Sequence, residues 1–210
     1  MDASQQQGEP AGAPAPASGG TALRDVLRAL VLERGYVRRA EPFQLSSGGM
    51  SHDYVDLRRA LARGEDLKLA ADAVLEHLAG RRVRFDAIGG MTMGADPVAH
   101  AVALLGHRAW FSVRKQEKRH GTGRRIEGAE LGRGVCVVLF EDTVSTGRSA
   151  LEALEVVRAT GATVVHACTL LDRGEQARVA FAAAGVDYGA LLTYADLAIA
   201  PIGPPGGTSA

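Results

Sequence analysis

Glu141-Asp142-Thr143-Val144-Ser145-Thr146-Gly147-Arg148-Ser149 joins two adjacent carboxylates to a hydroxyl-rich turn, with a helical pattern following. A phosphate in such a turn meets successive backbone N–H groups and the positive end of the helix dipole. Gly147 lets the backbone approach closely or take positive φ, and Ser145, Thr146 and Ser149 add hydroxyl donors. The two acids would repel a phosphate. They suit the vicinal hydroxyls of a ribose, or a Mg²⁺ attached to it. A sugar phosphate therefore fits better than a nucleoside triphosphate, and the Walker ending Gly-Lys-Ser/Thr is absent. The competing reading is a helix capped by Ser and Thr, with solvated acids at a loop end.

Three other segments carry chemistry. Arg114 to Arg125 gathers six Lys/Arg and His120, with Gly121, Gly123 and Gly128 as sources of flexibility. A mobile cationic loop can close over a polyanion, exclude water and stabilise charge on a departing pyrophosphate. A solvated charge run or a nucleic-acid contact is the alternative. Gly89-Gly90-Met91-Thr92-Met93-Gly94 follows a strand pattern, so its backbone amides can reach the same pyrophosphate; a plain tight turn explains it nearly as well. Arg173, at another strand end, would aim a planar two-pronged donor at a carboxylate, although arginines also sit at strand ends for solubility.

These residues need elements to position them. Short apolar runs of strand character occur at Phe85–Ile88, Ala109–Val113, Val135–Phe140 and Thr163–Leu171. Helical stretches alternate with them at Asp96–Leu105, Ser149–Ala159 and Glu175–Ala184. Two helices precede them: one capped by Thr21, running through Leu23, Leu27, Leu30 and Val31 to near Gly35, and one from Asp66 to Leu78 ending at Gly80. The alternation predicts an α/β fold, a central parallel sheet flanked by helices on both faces, with ligands at the carboxyl ends of the strands.

The chain has 210 residues, is 46% hydrophobic and 23% charged, and carries no formal net charge, as expected of one globular domain and not of a nucleic-acid-wrapping protein. No apolar run approaches the roughly 20 residues of a membrane helix. Six of eight prolines lie in the end segments, so 1–20 reads as a disordered tail, 21–200 as the folded unit and 201–210 as a flexible tail. Residues 1–20 lack the charge and apolar block of a targeting peptide. Cys136 and Cys168 read as small buried hydrophobes, with no disulfide framework and a cytoplasmic location.

With these pieces assembled, the sequence resembles the orotate phosphoribosyltransferase family of type I phosphoribosyltransferases. The likeness rests on Phe43–Gly48 followed by Tyr54–Arg58, on Gly89–Pro97, on Arg-Lys-x-x-Lys-x-His-Gly at Arg114–Gly121, on Glu141–Ser149 and on Asp172-Arg173. It implies the type I phosphoribosyltransferase fold with a small N-terminal hood, mainly residues 21–65 and including Tyr54. It implies transfer of ribose 5-phosphate from 5-phosphoribosyl diphosphate (PRPP) to orotate, giving orotidine 5′-monophosphate and pyrophosphate in pyrimidine synthesis. Arg114, Lys115, Lys118 and His120 would bind the pyrophosphate of PRPP. Glu141, Asp142, Thr143, Val144, Ser145, Thr146, Gly147, Arg148 and Ser149 would bind its ribose phosphate. Lys115, Lys118, His120 and Asp142 would be the catalytic group, and Ser145 and Arg173 would contact orotate. Mg²⁺ would be held mainly through PRPP and water, and a homodimer would share the active sites. Rival expectations are a phosphoribosyltransferase for another base and a non-catalytic regulator that senses PRPP.

Overall fold

A computed structural model describes residues 22–44, 50–116 and 125–202. Helix α1 (Ala22–Leu30) continues into a π-helical turn, Val31–Gly35, and leads to an antiparallel pair, β1 (Tyr36–Gln44) and β2 (Met50–Val55). A short α2 (Leu57–Ala60) and the long α3 (Gly64–Gly80) follow. The rest alternates: β3 (Ala87–Met91), α4 (Asp96–Gly106), β4 (Ala109–Val113), β5 (Ile126–Gly128), β6 (Cys136–Val144), α5 (Arg148–Arg158), β7 (Thr163–Asp172), α6 (Gln176–Ala183) and β8 (Tyr188–Thr193). A 3₁₀ turn, Ala195–Leu197, lies beyond β8.

The main sheet has six strands in the order β5-β4-β3-β6-β7-β8. All its pairings are parallel except β4 with β5. The expected α/β architecture is therefore present. The two-sided burial explains why its strands read as unbroken apolar runs. Along β6, Val138 and Phe140 join the core under α1, α3 and α4, while Val137 and Leu139 join the core under α5. That is the period of two expected of a strand covered on both faces.

Several expected boundaries shift. The run beginning at Phe85 becomes a strand only at Ala87, since Asp86 spends its carboxylate on the Cys136 amide at 2.8 Å. The run ending at Phe140 continues as strand through Val144, because Thr143 and Val144 pair with Leu171 and Asp172. The helix expected from Asp66 starts at Gly64, its first turn held by an ion pair from Arg34 to Asp66. Cys168 is buried as expected, but Cys136 is only half-buried, at the entry to β6. Gly128 is no hinge. It lies in β5 at φ +90°, where an added Cβ would meet the Trp110 carbonyl at 2.5 Å. Packed structure also reaches Ile202, two residues past the expected end of the folded unit.

Between α3 and β7 lie two imidazoles, His77 and His166, tilted at 46° with ring centres 5.7 Å apart. The Nε2 of each is buried without a hydrogen-bond partner, while Asp187 holds His166 Nδ1 at 2.9 Å. Burial lowers both groups below the ordinary imidazole value of 6.5, His77 to about 4 with help from Arg81. A folded-state value below the unfolded one means stability that is complete above 6.5 and falls as pH drops from there toward 4. Urea midpoints measured across that range should decline with acid, and the decline should be shallower in His77→Gln. An equally steep decline in that variant would assign the effect elsewhere.

Candidate active site

The carboxyl ends of β3, β4, β6 and β7 open on one cleft of about 1570 Å³. Its lining holds Glu141 through Ala150, Met91 through Gly94, Arg114 through Gln116, Arg173, and Tyr54 through Arg58 at the end of β2. Of the predicted site residues, Arg114, Lys115, the whole of Glu141–Ser149 and Arg173 thus share one cavity. Lys118 and His120 lie outside the described residues, as do Ser46, Ser47 and Gly48 of the hood segment.

The two acids stand on β6 itself, not in the turn after it. Both line the cleft, but the pair divides by burial. Glu141 is buried and accepts the Met91 amide at 3.3 Å, whereas Asp142 is half-buried and accepts the Thr143 amide at 2.8 Å. Burial pushes the Glu141 carboxyl up to about 8, reinforced by Asp142 and Asp96 and opposed by the Met91 amide and Lys115. Asp142 also explains Gly94. A Cβ there would lie 2.6 Å from Asp142 Oδ1, so a larger residue would make that carboxylate shift. Gly89 and Gly90 do a different job from the one expected. They are buried within β3, where neighbouring strands fill the Cβ positions.

The turn proper is Ser145-Thr146-Gly147. Gly147 takes φ +77°, and α5 starts at Arg148 with no side-chain bond at its N-cap. The capping alternative survives only in part: the N-cap is Gly147, and the Thr146 hydroxyl accepts the Arg148 amide at 3.4 Å. The first helical bond recorded at this end runs from Leu151 N–H to the Gly147 carbonyl. Amides ahead of that bond have no partner within the helix; that of Arg148 donates to the Thr146 hydroxyl, and the turn they border lines the cleft.

The cationic wall grows from a hairpin. Arg114 N–H donates to the Arg125 carbonyl at 2.8 Å, and Arg125 Nε donates back to the Arg114 carbonyl at 3.0 Å. Arg125 also pairs with Glu152 at 2.5 Å, so it fastens the base of the hairpin. Lys115 is exposed beside the acids, and its charge acts on Glu141. Glu127, which sequence reasoning missed, pairs with Arg114 at 3.3 Å and brings an acid into this wall. Only the β4–β5 pairing could have revealed it.

Arg173 lines the cleft just past the end of β7. Its N–H donates to the Val144 carbonyl at 2.9 Å, and its own carbonyl accepts the Ile202 amide at 2.7 Å. Asp172 fixes the turn, accepting Gly174 N–H at 3.0 Å and the Tyr188 hydroxyl at 2.9 Å. The Arg173 Nε, by contrast, is buried with no hydrogen-bond partner among the described residues. A buried charged donor without a partner is uncommon and marks Arg173, which also lines the cleft, as a residue to explain. From the β1–β2 pair, Tyr54 lines the cleft with its ring edge-on to Phe43 at 5.6 Å. Asp56, Leu57 and Arg58 also line it; the Asp56 carboxylate is spent capping α2 through the Arg59 amide at 3.0 Å.

No protein-family model matches the chain. Curated relatives do. An orotate phosphoribosyltransferase of Streptomyces avermitilis is 49% identical over 150 residues, covering 69% of this chain and 81% of the relative. One from Corynebacterium glutamicum is 38% identical over 179 residues, covering 84% and 92%. Among solved structures, Mycobacterium tuberculosis orotate phosphoribosyltransferase in complex with 5-phospho-alpha-D-ribosyl 1-diphosphate superposes with a TM-score of 0.69 at 36% identity, covering 84% of this chain and 99% of that one. An adenine phosphoribosyltransferase from Leishmania tarentolae, 20% identical with a TM-score of 0.61, shares the fold.

Proposed function

The chain belongs to the orotate phosphoribosyltransferase family, and on that footing we propose how its cleft divides the work of moving ribose 5-phosphate from PRPP to orotate. The products are orotidine 5′-monophosphate and pyrophosphate, in pyrimidine biosynthesis. The observation that carries the division of labour is that Arg173, whose buried Nε has no hydrogen-bond partner, lines the same cleft as the Ser145–Gly147 turn and the start of α5. The first suits the orotate carboxylate and the second the 5′-phosphate.

In this reading the amides and hydroxyls of Ser145 to Ser149 take the 5′-phosphate, with Arg148 at its outer edge. Glu141 and Asp142, flanked by Thr143 and Val144, face the ribose hydroxyls. Ser145 and Arg173 hold orotate, with Tyr54 in a hood above the base. Arg114 and Lys115 begin the pyrophosphate wall, and Lys118 and His120, which lie outside the described residues, would bind the same pyrophosphate. Orotate N1 needs no protein nucleophile. It attacks C1′ as the bond to pyrophosphate breaks, so the chain's task is alignment and stabilisation of the departing polyanion.

Mg²⁺ fits this donor set. The acids at the cleft are hard oxygen donors, and among the described residues no group of three or more metal-ligating side chains forms a cage. Glu141 and Asp142 would hold the ion through the ribose hydroxyls of PRPP and water, where it would neutralise charge on the leaving group. We also propose a homodimer with shared active sites, acting in the cytoplasm without nucleic-acid or membrane partners. Among the described residues no helix is long and apolar enough to cross a membrane.

Incubation with Mg²⁺, PRPP and orotate, following the loss of orotate absorbance, tests the reaction directly. Turnover with a purine or uracil in place of orotate would overturn the base assignment. Lys118→Ala should lower kcat about 10²–10³-fold, the usual loss of one preorganised electrostatic donor. An unchanged kcat would remove Lys118 from the catalytic group.

A further inference from the structure

Arg173 is aimed by main-chain contacts that come from far along the chain. Its N–H is fixed to Val144, where β6 enters the phosphate turn, and its carbonyl is fixed to the amide of Ile202. Gly174 accommodates the same passing segment, since an added Cβ would lie 2.6 Å from the Ile202 carbonyl oxygen. Ile202 is itself seated, partly buried against the core that includes Tyr194, Leu197 and Ile199. Asp172, pinned by Tyr188, closes the fourth side of the turn.

We propose that the Pro201-Ile202 segment is a strap that positions Arg173, making Ile202 a positioning residue for orotate through its backbone amide and not its side chain. This rests on the reading of Arg173 as the orotate ligand. The physical case is one of preorganisation. The buried Arg173 Nε makes no hydrogen bond among the described residues, so that atom does not hold the guanidinium's direction and its aim leans on the backbone beneath it. The sheet bond to Val144 fixes only one side of that peptide. The Ile202 amide fixes the other, and Gly174 leaves room for it to approach.

The proposal distinguishes main chain from side chain. Ile202→Pro removes the amide hydrogen, and Gly174→Ala pushes the strap aside at the Ile202 carbonyl without changing residue 202. Each should raise KM for orotate about tenfold, the scale of one net hydrogen bond, while KM for PRPP stays at the wild-type value. Ile202→Val keeps the amide and should restore the wild-type orotate KM. Where Ile202→Pro fails to fold, Gly174→Ala carries the test alone. Equal rises in both KM values would overturn the strap in favour of a purely structural role. An unchanged orotate KM in these variants, alongside a raised one in Arg173→Lys, would overturn the strap alone. If Arg173→Lys also leaves the orotate KM untouched, the assignment of Arg173 falls, and this proposal with it.

Discussion

Arg173→Leu is expected to lose about 10²–10⁴-fold in kcat/KM for orotate, the cost of truncating one partner of a buried, hydrogen-bonded charge pair. The variant is informative because it can leave the scaffold alone. Both anchors of Arg173, the Val144 carbonyl and the Ile202 amide, are main-chain groups that leucine keeps. The Asp172 turn is likewise held by Gly174 and Tyr188 and not by the guanidinium. What disappears is the open Nε and the fork around it, so the orotate carboxylate would enter the cleft with no counter-charge on that wall. Arg173→Lys should fall between the two, since an ammonium supplies a point charge without the planar pair of donors. Steady-state kinetics with each substrate varied in turn, beside a thermal melt, would check this. A wild-type kcat/KM for orotate in a folded Arg173→Leu protein would sink the assignment.

Gly90→Ala should damage folding more than any substitution at the cleft. The new Cβ would sit 1.8 Å from the Phe140 carbonyl oxygen and 3.0 Å from the Ala95 side chain. Neither can yield easily. β3 is bonded to β4 on one side and β6 on the other, so displacing its backbone disturbs two ladders at once. Ordinary overpacking of a core costs about 1–3 kcal/mol by straining side chains. Here the obstacle is main chain, and the loss should exceed that range, a large share of the roughly 5–15 kcal/mol that holds a domain together. Gly132→Ala is the matched control, because nothing lies within 4 Å of its Cβ position. Urea midpoints should drop sharply for Gly90→Ala and stay near wild type for Gly132→Ala. Equal midpoints would mean the sheet can open at β3 at little cost.

The parallel core was legible because both sheet faces are covered, which makes β4, β6 and β7 read as apolar runs separated by helical stripes. The antiparallel pair was not. β1 is exposed along most of its length and carries Arg38, Arg39 and Glu41, so it shows no inside-and-outside alternation. β5 is three residues long and gains its identity only from Phe111, Ser112 and Val113 across the ladder. β8 is a short apolar run of the kind that periodicity alone cannot assign.

The site was legible where its chemistry is local in sequence, as in Glu141 to Ser149. Two errors there share a physical origin. Glu141 and Asp142 looked like loop residues because acids are poor strand formers, yet β7 supplies pairing partners as far as Val144. Gly89 and Gly90 looked like loop glycines because a glycine pair usually marks a turn, yet the neighbouring backbones are what exclude a side chain. Glu127 and Ile202 had no local signal at all; they reach the cleft or its Arg173 wall through partners distant in sequence.

The bond from Arg173 to Val144 also sets a gauge for the acceptor. Val144 pairs with Asp172 across adjacent parallel strands, whose spacing of about 4.8 Å is fixed by their ladder. The proposed anchors for the sugar phosphate and for the carboxylate therefore leave neighbouring strands, their main-chain roots one ladder spacing apart. A ring acid whose carboxylate lies elsewhere on the ring would satisfy one anchor and miss the second. On this account, selection among acceptors begins with length, measured from the reacting nitrogen to the carboxylate, before any contact with the ring itself.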